Sequence, residues 1–476
     1  MRHPKCVLLA GAALIAVTAG QANAQTQTAR EAQLEERLRQ LEEAVATLRS
    51  ELQSARAAPA TGVAAATPQA NVASTTPPPG TNVQVTRAAG SSQGDVAVAS
   101  APPPDGFRVG NTTVKLNGFV RLNTIASRYS DGEVAVGGLG KEFYLPQQIP
   151  VGGGFASEDL LLSARQSRIV LSSSTPVGGV DIKTLIEFDF ALATAPVGAQ
   201  RATNPYVPTF RRGFIEYGHL LVGQEWSTFQ NIGVLPETTD FVGPLEGTVF
   251  NRQALIRYTV PLSKTANLQL AIENPQSETA LPGNAALVDT DDDRAPDLVA
   301  RLNLKPAFGD FAIAAIAREL RVDALGVGDS AFGWGVSGSG KVPIGANGSD
   351  IRFMATYGQG IGRYLGLGYV PDALYAGPGG QLEVIDNFAG FAAVKLGWTP
   401  TIRSTFTGSY QSAQYPDGLI VTGLANAKAY SGAANLFWTP AKGFDVGVEY
   451  RHGVRELLNG DTGALDRIEF AIKYGF

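Results

Sequence analysis

With 476 residues, 55 glycines, 28 prolines and only 17% charged side chains, the chain is not composed like an ordinary helical enzyme, and its length admits more than one domain. Hydrophobic residues make up 44% of it but are interleaved with polar ones instead of gathered into long runs. A formal charge of −5 and the lack of any basic block of five or more residues argue against nucleic acid as a partner.

The N-terminus reads as a secretory signal over residues 1–24. Arg2 and Lys5 form a basic region, Val7 to Gly20 an apolar one, and Ala22-Asn23-Ala24 a small-residue cleavage site, with cleavage expected before Gln25. The single cysteine, Cys6, precedes the apolar run, so it is not a lipoprotein cysteine, and the mature chain is left with no thiol. Beyond the signal no stretch of about 18 apolar residues offers a transmembrane helix. That leaves a soluble exported protein or a transmembrane barrel, the other structure that satisfies its backbone within lipid.

Residues 25–56 are expected to hold a helix from about Ala29 to Arg56. Leu34, Leu38, Leu41, Val45, Leu48 and Leu52 are spaced 4, 3, 4, 3, 4, a heptad seam that favours a short oligomerising coiled coil over a lone amphipathic helix. Residues 57–106 are rich in Ala, Pro, Thr and Ser, with Pro77-Pro78-Pro79 and Pro102-Pro103-Pro104, and read as a disordered linker with no core of its own.

From Phe107 to Phe476 the texture becomes regular, with segments of about ten residues alternating in polarity. Seven connections are short: 175–179, 217–219, 261–267, 306–310, 343–350, 399–403 and 439–445. Between them lie eight long ones, at 129–158, 192–208, 229–250, 275–295, 322–329, 360–385, 413–426 and 454–464. Fifteen connections imply sixteen strands, and short turns at one end with long loops at the other match an outer-membrane barrel. The fold expected is therefore all-β: a 16-stranded antiparallel transmembrane β-barrel, wide enough to keep an aqueous lumen. The last strand is the clearest, with Ile468, Phe470, Ile472, Tyr474 and Phe476 alternating with Arg467, Glu469, Ala471, Lys473 and Gly475. Its terminal aromatic resembles the signal read by outer-membrane assembly machinery. Trp398 and Trp438 end strands, where an interfacial aromatic girdle would place them.

Charge lining a narrow place sets a channel's selectivity. By alternation Arg168, Arg212, Arg257, Arg301, Arg352 and Lys395 face the lumen, because a cation facing mid-bilayer lipid costs about 2–4 kcal/mol. Arginine suits carboxylates because its planar fork binds both oxygens. The plainer alternative is that these residues solvate the lumen or pair with Glu187, Asp189 and Glu216. The third long loop, from Gln230 to Phe250, carries Leu235, Phe241, Leu245 and Phe250 and is too apolar to wave in solvent. It is expected to fold into the lumen as a constriction, with Glu237, Asp240 and Glu246 facing the arginines, the alternative being a contact with a neighbouring subunit.

Other patterns carry less. Gly335 to Lys341 nearly matches a phosphate-binding loop, but Val342 stands where a Ser or Thr is needed and Pro343 follows. Asp289, Asp291, Asp292 and Asp293 lack calcium-loop spacing and read as a solvated loop. After signal removal only His219 and His452 remain as histidines, which provisions catalysis poorly; no enzyme activity, cofactor or metal is expected.

Gly213-Phe214-Ile215-Glu216-Tyr217-Gly218, then Leu221-Val222-Gly223-Gln224-Glu225-Trp226-Ser227-Thr228-Phe229 and Asp240-Phe241-Val242-Gly243-Pro244, resemble the DcaP-like outer-membrane porins. The resemblance extends in order over signal, coiled coil, linker and barrel. It implies a homotrimer in the outer membrane with its helices in the periplasm, contacting lipid and lipopolysaccharide, and uptake of dicarboxylic acids. Glu225 departs from the neutral polar residue expected at its position and adds a negative charge. The function read from the sequence is passive diffusion of small anionic solutes. Its alternatives are a general-diffusion porin without substrate preference and a structural tether whose coiled coil binds peptidoglycan.

Overall fold

Period-two alternation builds the wall, since successive strand side chains point to opposite faces. Along Asp350–Gln359 the residues Asp350, Arg352, Met354 and Thr356 are buried, while Ile351, Phe353 and Tyr357 are exposed. Charged side chains turn to the inside and apolar ones to the outside, the reverse of a soluble protein.

The protein is described here by a computed structural model covering residues 106–191, 206–289, 291–323, 328–376 and 381–476. The expected signal peptide, the coiled coil and all but the last residue of the linker lie outside the described residues. In chain order the strands are β1 (Phe107–Val109), β2 (Thr112–Tyr129), β3 (Ser157–Ser163), β4 (Arg168–Val177), β5 (Val180–Asp189), β6 (Thr209–Tyr217), β7 (Leu220–Trp226) and β8 (Arg252–Ser263). There follow β9 (Ala266–Glu273), β10 (Glu278–Leu281), β11 (Asn284–Asp289), β12 (Asp297–Leu304), β13 (Asp310–Val322), β14 (Asp329–Pro343) and β15 (Asp350–Gln359). The last are β16 (Ala373–Ala376), β17 (Gln381–Val384), β18 (Asp386–Gly397), β19 (Ile402–Gln414), β20 (Asn426–Ala441), β21 (Phe444–Leu457) and β22 (Thr462–Gly475). Among the described residues there is no α-helix, only short 3-10 turns.

One wall strand is broken in two: β3 pairs with the upper half of β2 and β4 with its lower half. Counted as one, they complete a closed antiparallel barrel of sixteen strands, with β22 returning to β2. Closure is secured at the last residue, where Gly118 N donates to Phe476 O at 3.1 Å and Phe476 N to Gly118 O at 3.0 Å. A side chain at position 118 would not fit, since its Cβ would stand 2.2 Å from the carbonyl oxygen of Arg168.

All seven short connections fall between the strands where they were expected. The long ones hold more structure than the sequence suggests. The loops 275–295 and 360–385 contribute β10, β11, β16 and β17, a separate four-stranded sheet in which β10 and β16 run parallel. The eighth loop is shorter than expected, because β21 extends to Leu457 and β22 begins at Thr462. Polar residues there mislead, because Arg455 and Glu456 are polar and yet lie in a strand. Trp398 and Trp438 are exposed near the short-turn end, while outward Tyr357, Phe388, Tyr410, Tyr430 and Tyr450 form a second aromatic row. Gly335 to Lys341 lies within β14.

The long-loop end faces the exterior in barrels of this kind. Single cysteines placed at Asp292 and at Ala441 should therefore label from opposite sides of the membrane; labelling of both from one side would overturn this topology.

Candidate functional site

Between Trp226, where β7 ends, and Arg252, where β8 begins, the chain leaves the wall and nearly every residue is buried. Its apolar side chains explain the burial. Phe241 meets Phe143 of the first long loop edge to face at 5.6 Å, Phe250 meets Trp226 at 5.1 Å, and Tyr364 of the sixth loop meets Phe229 at 6.0 Å. Glycine allows the closest approach: a Cβ at Gly247 would stand 2.5 Å from the carbonyl oxygen of Gly390 in the β18 wall.

A loop in the lumen has no strand neighbour for its carbonyl groups, and buried ones must find donors. The wall supplies them. Arg257 Nη2 donates to Trp226 O, Arg301 Nη1 to Gln230 O and Arg352 Nη1 to Leu235 O. Asn435 Nδ2 donates to Glu237 O at 2.7 Å, and Thr239 O accepts from Arg121 Nη2 and, at 3.3 Å, from Asn123 Nδ2. These donors sit on β2, β8, β12, β15 and β20, so the loop is held inside the barrel from strands around its wall.

The carboxylates expected to face the lumen are engaged. Glu237 forms a two-pronged pair with Arg403 at 2.7 and 2.6 Å and lies 3.7 Å from Lys395. Asp240 accepts from the backbone N–H groups of Tyr144, Val242 and Gly243 and lies 3.7 Å from Arg467. Glu246 accepts from Tyr144 Oη at 3.2 Å and from Ser409 Oγ at 2.7 Å.

The six predicted lumen cations are all inside the barrel and divide into two groups. Arg168 pairs with Glu187 at 2.9 Å and Asp189 at 2.8 Å, Arg212 with Glu225 at 2.6 Å and Glu187 at 3.2 Å, Arg352 with Asp350 at 2.6 Å, and Lys395 with Glu237. Arg257 and Arg301 have no carboxylate within ion-pair reach among the described residues and are spent on the loop carbonyls and on Thr228 and Gln269. Glu216 pairs with Lys183 instead of Arg212. Of the histidines, His219 sits in the β6–β7 turn, while His452 is outward and bonds Asp466 at 2.8 Å. Asp289 accepts from Gln276 Nε2, Asp292 from the backbone N–H of Asp323 and Asp293 from Ser277 Oγ, and no group of three metal-ligating side chains occurs among the described residues.

Three cations that alternation does not find line a chamber of about 350 Å³ on the outer side of the loop: Arg211, Arg252 and Arg363, with Gln224, Asn251 and Glu278. Arg211 and Arg212 are both buried, although adjacent strand residues should face opposite ways. A register shift opposite Glu187 and Phe188 bulges the strand and turns both inward. Arg252 stands at the junction of loop and strand, where no alternation applies, and lies over the Trp226 ring at 3.6 Å. Its Nε and Nη2 are shielded and have no hydrogen-bond partner among the described residues. Arg363 comes from the sixth loop. Burial, reinforced by neighbouring Asp372 and opposed by Arg363 and Arg318, pushes the Glu278 carboxyl up to about 7.

A closed wall, apolar outside and charged inside, crossed by a buried loop that guanidinium groups hold in the lumen, defines an outer-membrane β-barrel channel. The DcaP outer membrane protein family profile matches residues 136–476, and the chain belongs to that family. It is similar to the outer membrane channel DcaP of Acinetobacter baumannii, with 25% identity and a TM-score of 0.64 over 78% of this chain and 99% of that one. OmpT of Vibrio cholerae aligns with 11% identity and a TM-score of 0.48 over 78% and 99%. No curated protein matches the chain.

The loop's seat on β18 can be tested at its tightest contact. Gly247→Val should push the loop off Gly390 and raise single-channel conductance, whereas an unchanged conductance would mean that the loop does not narrow the path.

Proposed function

We propose that this channel passes small anionic solutes, dicarboxylic acids among them, by passive diffusion through a lumen narrowed by the loop 230–250. The observation that carries the reading is the Arg252 guanidinium, unpaired beside Arg211 and Arg363 in a chamber directly against that loop. A buried donor without a partner calls for a ligand or water, and a guanidinium fork matches a carboxylate. Arg211 is held by Asp189 at 2.7 Å and Arg363 lies 3.9 Å from Asp297, so these two add positive potential around the one open fork. At 4 Å one such contact is worth about 4 kcal/mol at an effective dielectric of about 20, strong enough to select and weak enough to release. The expected signal peptide, a homotrimeric barrel and a periplasmic coiled coil belong to the same proposal and rest on the sequence and the family resemblance.

Pairing of Arg168 and Arg212 by Glu187, Asp189 and Glu225 favours a second reading, a general-diffusion porin whose wall charges cancel. Reversal potentials in a salt gradient separate the two. Arg252→Gln combined with Arg363→Gln should move the anion/cation permeability ratio severalfold toward cations, and Lys442→Gln, in a short turn, should leave it alone. An unchanged ratio in the double variant hands the function to general diffusion.

The chamber should also respond to pH. A carboxyl group with a pKa of about 7 is mostly charged at pH 8 and mostly neutral at pH 6, so acidification removes a negative charge from the chamber that the three arginines line. Anion preference should rise between pH 8 and 6. Glu278→Gln should hold it at the higher level throughout, and a variant that keeps the wild-type slope would assign the titration elsewhere.

A further inference from the structure

A second cavity, of about 210 Å³, opens between the small four-stranded sheet and the loop 415–425, and the permeation reading makes no use of it. One residue organises its polar side. Asn426 Oδ1 accepts from Arg455 Nε at 2.7 Å, its Nδ2 donates to Tyr369 O at 2.6 Å, and its carbonyl oxygen accepts from Tyr415 Oη at 2.9 Å. Arg455 Nη1 donates to Ile149 O at 2.9 Å, and no carboxylate among the described residues lies within ion-pair reach of this guanidinium. Gln147, also in the lining, spends its Nε2 on the carbonyl oxygens of Gly366 and Leu367, and its Oε1 is shielded with no hydrogen-bond partner.

The apolar side is as unusual. Leu281, Leu287 and Leu424 border the cavity and are 43%, 45% and 63% exposed at the end of the barrel that faces water, not lipid. Exposed apolar surface forfeits about 25 cal/mol per Å², and in a patch beside polar groups it marks a binding surface. The Arg252 chamber combines three cations with polar walls; this cavity combines one cation with tyrosine rings and leucines.

We propose that this cavity is a capture site for a small amphipathic carboxylate. The carboxylate meets the free edge of Arg455, an apolar ring lies among Tyr369, Tyr415 and the leucines, and a hydroxyl on the ring donates to Gln147 Oε1. The volume falls below the roughly 300–1,000 Å³ of drug-sized sites, which limits the ligand to one ring. This inference does not depend on the lumen being anion-selective, because it concerns binding at the mouth and not permeation.

The test is titration of 4-hydroxybenzoate into the purified full-length protein in detergent, followed by ligand-observed NMR, with heat-modifiable gel migration as the check of folding. Saturable binding is expected, at least tenfold weaker in Arg455→Gln and severalfold weaker for benzoate, which lacks the hydroxyl. Ala285→Trp plugs the cavity from an exposed position of β11 and should abolish binding without disturbing any buried group. Lys442→Gln, in the short turn between β20 and β21, should bind as wild type does. No saturable binding, or wild-type affinity in the folded Ala285→Trp protein, overturns the proposal.

Discussion

A peptide chain that crosses the inside of a barrel must find hydrogen-bond donors for carbonyl groups that no strand neighbour serves. Leaving one buried and unpaired costs about 1–3 kcal/mol. Here the wall answers with arginine and asparagine: Arg257, Arg301, Arg352, Asn435 and Arg121 meet the carbonyl groups of Trp226, Gln230, Leu235, Glu237 and Thr239 in turn. The loop's place in the lumen rests on these contacts together with the packing of its apolar residues.

The same constraint divides the labour among the charges. Guanidinium groups that hold the loop or pair with wall carboxylates have little left for a solute. Breaking such a buried pair is costly because it strands the other charge. Glu225, which adds a negative charge close to the loop, is neutralised by two hydrogen bonds from Arg212 at 2.6 Å. What remains open is where wall and loop join, at Arg252; Arg363, where the sixth loop descends, lies 3.9 Å from Asp297.

The outer loops are fastened just as firmly. Arg318 of β13, fully buried, lies 3.0 Å from Asp372 and 3.4 Å from Asp297, and Asp372 also accepts from the backbone N–H groups of Arg363 and Glu278. This network anchors the small sheet to the wall, which keeps Glu278 in its chamber. It also gives the cavity beside Asn426 fixed sides, since a site on a rigid support needs no ordering when a ligand arrives.

What the sequence by itself determined was the wall. Alternation is a local property with a period of two, and placing lipid outside and water inside leaves each strand residue one of two directions. That is why the sixteen strands, the short turns and the inward side of Arg168, Arg212, Arg257, Arg301, Arg352 and Lys395 were legible. The apolar character of residues 230–250 likewise announced a buried loop. Which inward cations stay free was decided by the tertiary structure alone, because that depends on partners far apart in the chain: Glu237 with Arg403, Arg301 with Gln230, Arg352 with Leu235. Arg211 was hidden by a bulge that breaks the alternation, and Arg252 and Arg363 lie where no periodicity exists to be read. Period and composition settle a direction for each side chain; the pairing of charges needs the closed barrel and the loop within it.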